Sequence, residues 1–397
     1  MSASSSKIYA SRKDIETDKL RCWLELNLSN LKNNIQSIRN IISDKLDIIC
    51  VVKANGYGYG ALNISKYLSS IGIKYFAVAT LEEALELRNE GGIKDEIIIL
   101  SWTPVSEKET LIKYNLTQTL IDYEYAKKLN QLPGVLKCHV KIDSGMNRFG
   151  LNINDIENIK EMYNKFKNLN ILGIFSHLCR VREYGEEPDN FTKMQIKNFD
   201  TIIEKLEKDG INVGLKHIMN SFGILRFNDK KYELVRPGAL MFGVSPDPNI
   251  EEIDKTLKEN NIKPVASLRC KVMTVKFIEK GEKVGYNCRF TADEKTKIAT
   301  ISIGYADGLS FASSRNQFRV IIKGHLCPLI GNVCMDCAIV KIPLDSDIQE
   351  NDIVTLFGYI DDENKHLNHK EFLTKSGAPL GETFARLGQR ITRICHL

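Results

Sequence analysis

One lysine in this chain lies where chemistry is expected. Lys53 follows an apolar run at 46–52 and precedes the glycine-rich loop Gly-Tyr-Gly-Tyr-Gly at 56–60. Burial lowers the pKa of an amine, so a lysine at the end of a buried strand can act as a base or form a Schiff base with an aldehyde. Glycines would let the backbone approach a ligand closely. The alternative is an ordinary lysine that extends to solvent beside a turn, and this segment alone does not separate the two.

Other polar side chains occur at or just after the ends of four further apolar runs. They are His177, His217, Asn220, Ser221 and Arg236, together with the segment 141–148, which contains Lys141, Asp143 and Arg148. Each has an ordinary explanation, such as a core histidine, a helix cap or an ion pair between Asp143 and Arg148. Their coincidence at five strand ends instead indicates a site for a phosphorylated aldehyde. Ser221 and the backbone N–H groups near Gly238 can hold the phosphate, and Lys53 can take the aldehyde.

The elements that must position these residues alternate between short apolar runs and polar stretches of helical periodicity. The apolar runs are 46–52, 75–80, 96–101, 117–121, 136–142, 171–177, 214–220 and 232–236. Eight strands separated by helices predict an α/β fold with an N-terminal (β/α)8 TIM-like barrel. An open doubly wound sheet is the alternative. In a barrel, ligands bind at the carboxyl ends of the strands.

A mainly β C-terminal domain is predicted after residue 264, where strand patterns at 265–278, 297–303, 318–322, 337–342 and 353–357 replace the helical ones. We therefore expect a flexible tail at 1–19, a barrel at 20–262 and a β-rich domain at 263–397. The first strand can pair with the C-terminal domain. A last helix is predicted over 381–391.

Composition excludes several classes of protein. The 397 residues carry a formal charge of +5 with mixed signs and no basic tract, which argues against a nucleic-acid partner. No apolar stretch approaches membrane-spanning length, and the N-terminus lacks the apolar core of a secretory signal. The ten cysteines are scattered, so we predict no metal or disulfide framework, and reduced thiols in a cytoplasmic protein.

Five motifs resemble those of the bacterial-type alanine racemase family, which are fold-type III pyridoxal-phosphate (PLP) enzymes. They are Val-Val-Lys-Ala-Asn-Gly-Tyr-Gly-Tyr-Gly at 51–60, Lys-Ile-Asp-Ser-Gly-Met-Asn-Arg-Phe-Gly at 141–150, Leu-Val-Arg-Pro-Gly at 234–238, Ile-Gly-Tyr-Ala-Asp-Gly at 303–308 and Val-Cys-Met-Asp at 333–336. The resemblance extends from about residue 20 to the end. It implies a PLP-dependent isomerase that interconverts L- and D-alanine, works as a homodimer with shared sites, and supplies D-alanine for a cell wall.

The resemblance also implies roles for particular residues. Lys53 and Tyr305 are the two catalytic bases, and Tyr305 comes from the partner subunit. Residues that hold PLP are Lys53, Tyr57, His177, Asn220, Ser221, Arg236 and Gly238. Arg148 and Met335 position the substrate, and Lys141, His217 and Asp336 support them. Lys141 is a position that is sometimes carbamylated in the family, and an unmodified lysine is the alternative.

Some features depart from the family pattern. Gly381 stands where many members carry tyrosine or asparagine next to the substrate pocket, which implies more space for the substrate. Residues 21–26 and 177–179 resemble the alanine/serine racemase branch linked to glycopeptide resistance. Serine or broad-specificity racemisation is therefore the alternative to alanine. A PLP decarboxylase and a non-catalytic PLP-binding protein are less favoured, because the former does not fit Tyr305 and Arg236 and the latter lacks a β domain.

Overall fold

The computed structural model describes residues 16–42, 46–227, 231–245, 250–359, 366–367 and 369–397. Residues 1–15 of the predicted tail lie outside the described residues. The strands are β1 (Cys22–Asn27), β2 (Asp47–Val51), β3 (Tyr75–Val78), β4 (Glu96–Ile99), β5 (Thr117–Leu120), β6 (Leu136–Asp143), β7 (Leu151–Asn152), β8 (Leu169–Phe175), β9 (Leu215–His217), β10 (Leu234–Val235), β11 (Ala266–Ile278), β12 (Lys283–Val284), β13 (Phe290–Thr291), β14 (Thr296–Ile301), β15 (Arg319–Ile322), β16 (His325–Ile330), β17 (Ala338–Ile342), β18 (Ile353–Tyr359), β19 (His366–Leu367) and β20 (Thr392–His396).

Most of the described α-helices alternate with the strands in the first two thirds of the chain, and two lie near its end. They are α1 (Leu28–Ile41), α2 (Lys53–Tyr57), α3 (Ala61–Ser70), α4 (Leu81–Asn89), α5 (Lys108–Lys113), α6 (Tyr123–Gln131), α7 (Ile156–Lys165), α8 (Glu186–Lys208), α9 (Ser221–Arg226), α10 (Glu251–Glu259), α11 (His369–Ser376) and α12 (Leu380–Ala385). None of these is both long and apolar enough to cross a lipid bilayer.

The chain folds into two compact units. The barrel unit comprises residues 34–56 and 61–241, and the β unit comprises the described residues up to Asn33 together with 57–60 and 242–397. The loop 57–60 behind Lys53 thus belongs to the β unit, although its neighbours in sequence belong to the barrel unit.

The barrel unit is built on a parallel sheet with strand order β10-β2-β3-β4-β5-β6-β8-β9. A parallel bridge between Asn220 and Arg236 continues the ladder from the end of β9 to the end of β10 and closes it. The prediction of a (β/α)8 barrel is therefore confirmed, and the open-sheet alternative is wrong because the described strands form a closed ring. Strand β2 is apolar at consecutive positions, Ile48 to Val51, because both faces of such a strand are covered.

The β unit contains a second sheet with the order β19-β18-β15-β16-β17-β14-β11-β1-β20, in which β11 also pairs with β18. Strand β1 pairs antiparallel with β11 and parallel with β20. Alternation along β17 (Ala338, Val340 and Ile342 buried) matches the pattern that predicts a strand with one covered face. The predicted mainly β character of this part is confirmed.

The predicted helix over 381–391 is wrong in its second half. Helix α12 ends at Ala385, and after a turn the chain continues as β20. The guanidinium of Arg393 donates hydrogen bonds to the carbonyl groups of Leu387 (2.8 Å), Gly388 (2.6 Å) and Ile391 (2.7 Å). These carbonyl groups are thus paired with a side chain outside the segment, which satisfies them without a helix.

Gly58 gives a first prediction for the β unit. Its φ is +82°, and an added Cβ would lie 1.9 Å from the carbonyl oxygen of Phe384. Gly58→Ala is therefore expected to lower the free energy of unfolding by about 2–4 kcal/mol, since a positive φ and a backbone clash add together. Urea unfolding of the two proteins measures this. Gly281→Ala is the control, because Gly281 has a φ of +87° and open space around it. A loss at Gly58 no larger than that at Gly281 would contradict the clash.

Candidate active site

The carboxyl ends of the barrel strands bring together most of the residues singled out in the sequence. Lys53 follows β2, Lys141 lies in β6, Ser176 and His177 follow β8, His217 ends β9, and Arg236 follows β10. In a parallel barrel these ends form one mouth. Tyr57, Tyr305, Met335 and Asp336 belong to the β unit.

The backbone after Lys53 adopts an uncommon conformation. Ala54, Asn55, Gly56 and Tyr57 all have positive φ, at 53°, 52°, 63° and 56°. Three of these four residues have a Cβ, and the left-handed conformation costs such residues roughly 1–2 kcal/mol each. Strain of this kind persists only where the surroundings impose it, and it concentrates at functional sites.

Arg236 anchors a chain of buried hydrogen bonds. Its guanidinium donates to His217 Nδ1 (2.6 Å) and to the carbonyl oxygens of Ser176 (2.6 Å) and Ile218 (3.2 Å). Because arginine only donates, His217 Nδ1 must accept, and a neutral His217 then presents Nε2–H to His139 Nδ1 at 2.9 Å. Burial, reinforced by Arg236, lowers the pKa of His139 to about 3 and that of His217 well below its usual range. Both imidazoles are therefore neutral and orient Arg236.

The mouth carries more positive than negative charge. Burial and Arg148 lower the pKa of Lys53. Burial, Arg236 and Arg148 keep the pKa of Lys141 well below its usual range, although Asp143 opposes them. Burial and Arg148 lower the pKa of Arg236 to about 9. The cationic groups thus repel one another across the mouth, and an anion bound there would relieve this repulsion.

His177 and Lys141 lie against this cluster. His177 Nδ1 is 3.3 Å from Arg236 NH2, and burial together with four nearby cations keeps its pKa well below the usual range. Lys141 is 3% exposed, donates to the carbonyl oxygen of Ile142 at 2.9 Å and lies over the ring of Phe175. Burial and the nearby positive charges therefore shift both side chains toward their neutral forms.

Ser221 and Gly238 are hydrogen-bonded to each other. The Ser221 hydroxyl oxygen accepts from the N–H groups of Gly238 (2.9 Å) and Leu240 (3.2 Å). Both bonds use the hydroxyl as an acceptor, so its proton is available to an anion. Asn220 instead caps α9, because its side chain accepts from Gly223 N–H at 3.1 Å and donates to the Leu178 carbonyl at 2.8 Å.

In the β unit, Tyr305 and Met335 lie on two loops that are bonded to each other. Tyr305 N–H donates to the Cys334 carbonyl and Ala306 N–H to the Met335 carbonyl, both at 3.0 Å. The approach is close enough that a Cβ on Gly304 would lie 2.3 Å from the Met335 carbonyl oxygen. Residues Tyr305 and Met335 are 45% and 52% exposed. They therefore form one exposed patch of the β unit.

Asp307 fixes the backbone of this patch through hydrogen bonds and ion pairs. Its fully buried carboxylate accepts from Gly304 N–H (2.9 Å), from Arg390 (3.0 Å) and from Arg21. Burial alone would favour the neutral acid, but these bonds lower the pKa of Asp307, so it stays ionised. Arg390 also donates to Asp336 Oδ1 at 2.8 Å. Asp336 thus reaches the Tyr305 loop through Arg390.

Tyr57 is also part of the β unit. Burial raises the pKa of its phenol to about 12, and its ring is tilted against that of Phe242 with centroids 6.0 Å apart. At neutral pH this hydroxyl is therefore a hydrogen-bond donor and not a base.

Several residues of the site region are not predicted from the sequence. His139 lies inside a predicted strand without a further signal, and Arg21, Asp307 and Arg390 lie far apart in the chain. The description of the cysteines as scattered is wrong for Cys334 and Cys337, which form a Cys-x-x-Cys pair. A hydrogen bond with Cys334 contributes, after burial, to a raised pKa of the Cys337 thiol. No third metal ligand joins them among the described residues.

Comparison with known proteins places the chain in a family. Models for the N-terminal and C-terminal domains of alanine racemase match residues 26–246 and 265–395. An alanine racemase of Clostridium tetani is 36% identical over 382 residues, or 94% of each chain. An amino-acid racemase of Enterococcus faecalis is 36% identical over 364 residues, which are 91% of this chain and 51% of that protein. The solved structure of alanine racemase from Clostridium difficile 630 superposes with a TM-score of 0.84 at 32% identity over 94% of each chain. The chain belongs to the alanine racemase family.

Proposed function

We propose that this protein is a PLP-dependent isomerase that interconverts L- and D-alanine with Lys53 and Tyr305 as its two bases. The observation that carries the proposal is the mouth of the barrel. There Lys53, whose pKa is lowered by burial and by Arg148, shares a site with Lys141 and Arg236. Such a site is suited to a ligand that combines an aldehyde with a phosphate and to a substrate that carries a carboxylate.

The residues of the mouth fit PLP by their chemistry. The Ser221 hydroxyl oxygen accepts from the Gly238 N–H, so the hydroxyl has its own proton to donate to a phosphate. Lys53 has an increased neutral fraction at neutral pH, which attack on an aldehyde requires. When bound, PLP withdraws electrons from the substrate Cα and so acidifies its proton.

Arg236 is suited to limit the electron withdrawal by the ring. It is held by His217 and by backbone carbonyls, and it can only donate hydrogen bonds. With PLP bound and its ring nitrogen facing Arg236, this arginine would keep the nitrogen unprotonated, whereas a carboxylate would keep it protonated. Arg236 would thus moderate the acidity of the substrate's α-proton and favour its prompt return over side reactions.

Racemisation requires bases on both faces of the substrate's α-carbon, since one removes the proton and the other returns one. Lys53 is proposed as the base on the first face. Tyr305 is proposed as the second, acting from the partner subunit of a homodimer. Its 45% exposure beside Met335 supports this role, because a residue that serves a partner must lie on its own subunit's surface.

Arg148 and Lys141 are proposed to hold the substrate carboxylate together with Met335. The strongly lowered pKa of Lys141 increases the neutral fraction of its amine, and a neutral amine is the form that carbamylation requires. A carbamate there would place a negative charge near Arg148 and reduce the repulsion between the cations. We further propose that the enzyme works in the cytoplasm, and that its product is D-alanine for a cell wall.

Gly381 supports a second candidate, racemisation of serine or larger amino acids. This residue is exposed in α12, and an added Cβ would meet nothing within 4 Å. The Enterococcus relative is also described as an amino-acid racemase rather than as an alanine racemase.

The substitution Gly381→Tyr is expected to lower kcat/KM for serine at least tenfold relative to alanine, because one lost or blocked contact in a pocket changes discrimination by about 10- to 200-fold. Chiral chromatography of both reactions measures the ratio. Gly281→Tyr is the control for a large side chain at an exposed glycine. An unchanged serine-to-alanine ratio in Gly381→Tyr would remove Gly381 from specificity.

The proposed function itself is tested by incubating the purified protein and PLP with a panel of L- and D-amino acids in deuterated water. Alanine is expected to racemise and to exchange its α-proton from both enantiomers. Release of carbon dioxide, or the absence of α-proton exchange with every amino acid, would contradict the proposal.

A further inference from the structure

The left-handed turn behind Lys53 is held by a carboxylate that lies far from it in sequence. Within the turn, Gly56 N–H donates to the Val52 carbonyl at 2.7 Å. The first residue after the lysine, Ala54, donates its N–H to Glu83 Oε1 at 2.6 Å. Glu83 lies in the first turn of α4, in the neighbouring βα unit of the barrel.

The second oxygen of the same carboxylate has a different task. Glu83 Oε2 accepts from Ala79 N–H at 2.7 Å and from Thr80 N–H at 3.4 Å. In return, Thr80 Oγ1 accepts from Glu83 N–H at 3.3 Å, which completes a capping box for α4. Capping α4 requires only Oε2, so the bond from Oε1 to Ala54 is an addition to an ordinary helix cap.

We propose that Glu83 is a positioning residue for Lys53. Glu83 fixes the direction of the lysine side chain, because it joins the start of the left-handed turn to the end of β3 and the start of α4. The inference rests on the proposed role of Lys53 as an imine-forming base. Such a base must be held close to its productive geometry, and a misplacement of about 1 Å can cost about 100-fold in rate. Glu83 touches neither cofactor nor substrate in this proposal and acts through the backbone of Ala54.

Charge gives Glu83 a second influence on the same amine. Burial and Arg148 lower the pKa of Lys53, and Glu83 acts in the opposite direction. Removing the negative charge should therefore lower the pKa of Lys53 further, because the protonated amine loses its nearby anion. His177, whose pKa is lowered by burial and by cations including Lys53, is held neutral and does not supply a compensating charge.

The proposal is tested with Glu83→Ala, Glu83→Gln and Thr80→Ala. The last variant weakens the cap of α4 but leaves the bond between Glu83 and Ala54, so it is the matched control for simple loss of the cap. Two readouts need no turnover. They are hydrogen exchange at the Ala54 amide, and the pH dependence of Lys53 modification by an amine-reactive reagent in the protein without PLP, read by peptide mass spectrometry.

In Glu83→Ala, exchange at Ala54 is expected to accelerate at least tenfold and the modification profile of Lys53 to move to lower pH. With PLP, kcat should fall roughly 10- to 100-fold with little change in KM. Glu83→Gln keeps an acceptor for Ala54, so it should move the modification profile but retain more of the exchange protection.

The opposite results would overturn the proposal. If Glu83→Ala and Thr80→Ala gave the same exchange at Ala54 and the same Lys53 profile, Glu83 would be only a helix cap. Failure of the proposed function is distinguishable, because the wild-type protein would then lack racemisation, while the exchange at Ala54 and the modification of Lys53 would still report on the turn.

Discussion

The substitution Lys53→Ala is expected to lower the rate of alanine racemisation by at least about 10⁴-fold, because it removes the residue proposed as both a catalytic base and the covalent anchor of the cofactor. The proposed anchor lies at the mouth of the barrel, and its pKa is lowered by burial and by Arg148. Chiral chromatography measures the rate, and the absorbance of protein-bound PLP after gel filtration measures the anchor. Both signals should disappear together.

Lys66→Ala is the matched control for Lys53. This lysine is exposed on α3, one helix further along the chain, and its removal should leave both signals unchanged. A Lys53→Ala protein that racemises alanine at the wild-type rate would overturn the proposed mechanism. If the absorbance were lost and turnover remained, Lys53 would anchor PLP without being a base.

The substitution Tyr305→Phe is expected to lower racemisation by about 10²- to 10⁴-fold, since it removes the proposed proton carrier on the second face of the substrate's α-carbon but keeps the ring. Because Lys53 is intact, exchange of the α-proton with deuterated water should persist for one enantiomer of alanine and be lost for the other. Nuclear magnetic resonance of each pure enantiomer measures this asymmetry. Tyr114→Phe is the control, because Tyr114 is half-buried between α5 and β5 at the other end of the barrel strands.

The same variants test whether the site is shared between subunits. Lys53→Ala and Tyr305→Phe proteins should each be inactive, but a mixture that exchanges subunits should regain up to about a quarter of the wild-type activity. Half of the dimers are then mixed, and each mixed dimer combines one intact Lys53 with the partner's intact Tyr305. If mixing regained no activity despite verified subunit exchange, Tyr305 would not act in the site of the partner.

The barrel and the ends of its strands could be predicted because the signals are local. Consecutive apolar residues such as Ile48 to Val51 identify a strand that is covered on both faces, and a parallel barrel presents the carboxyl ends of all its strands at one mouth. Lys53, His177, His217 and Arg236 could therefore be assigned to one region from the sequence alone. The prediction of a helix through 386–391 failed because helical periodicity carries no information about Arg393, which binds the carbonyl groups of that segment from outside.

Lys53 shows most clearly what the sequence by itself determined and what required the tertiary structure. From the sequence alone, the residue type, its place after an apolar strand and the motifs around it made Lys53 the proposed PLP-binding lysine of an alanine racemase. Three features were decided only by the folded chain. They are the left-handed turn after Lys53, the hydrogen bond from Ala54 N–H to Glu83, and the hydrogen bonds that join Arg236 through His217 to His139. The physical reason is that a strained backbone and a lowered pKa depend on partners brought close by folding. Residues 54 and 83 are far apart in the chain, and nothing in their local sequence indicates that one N–H and one carboxylate will meet.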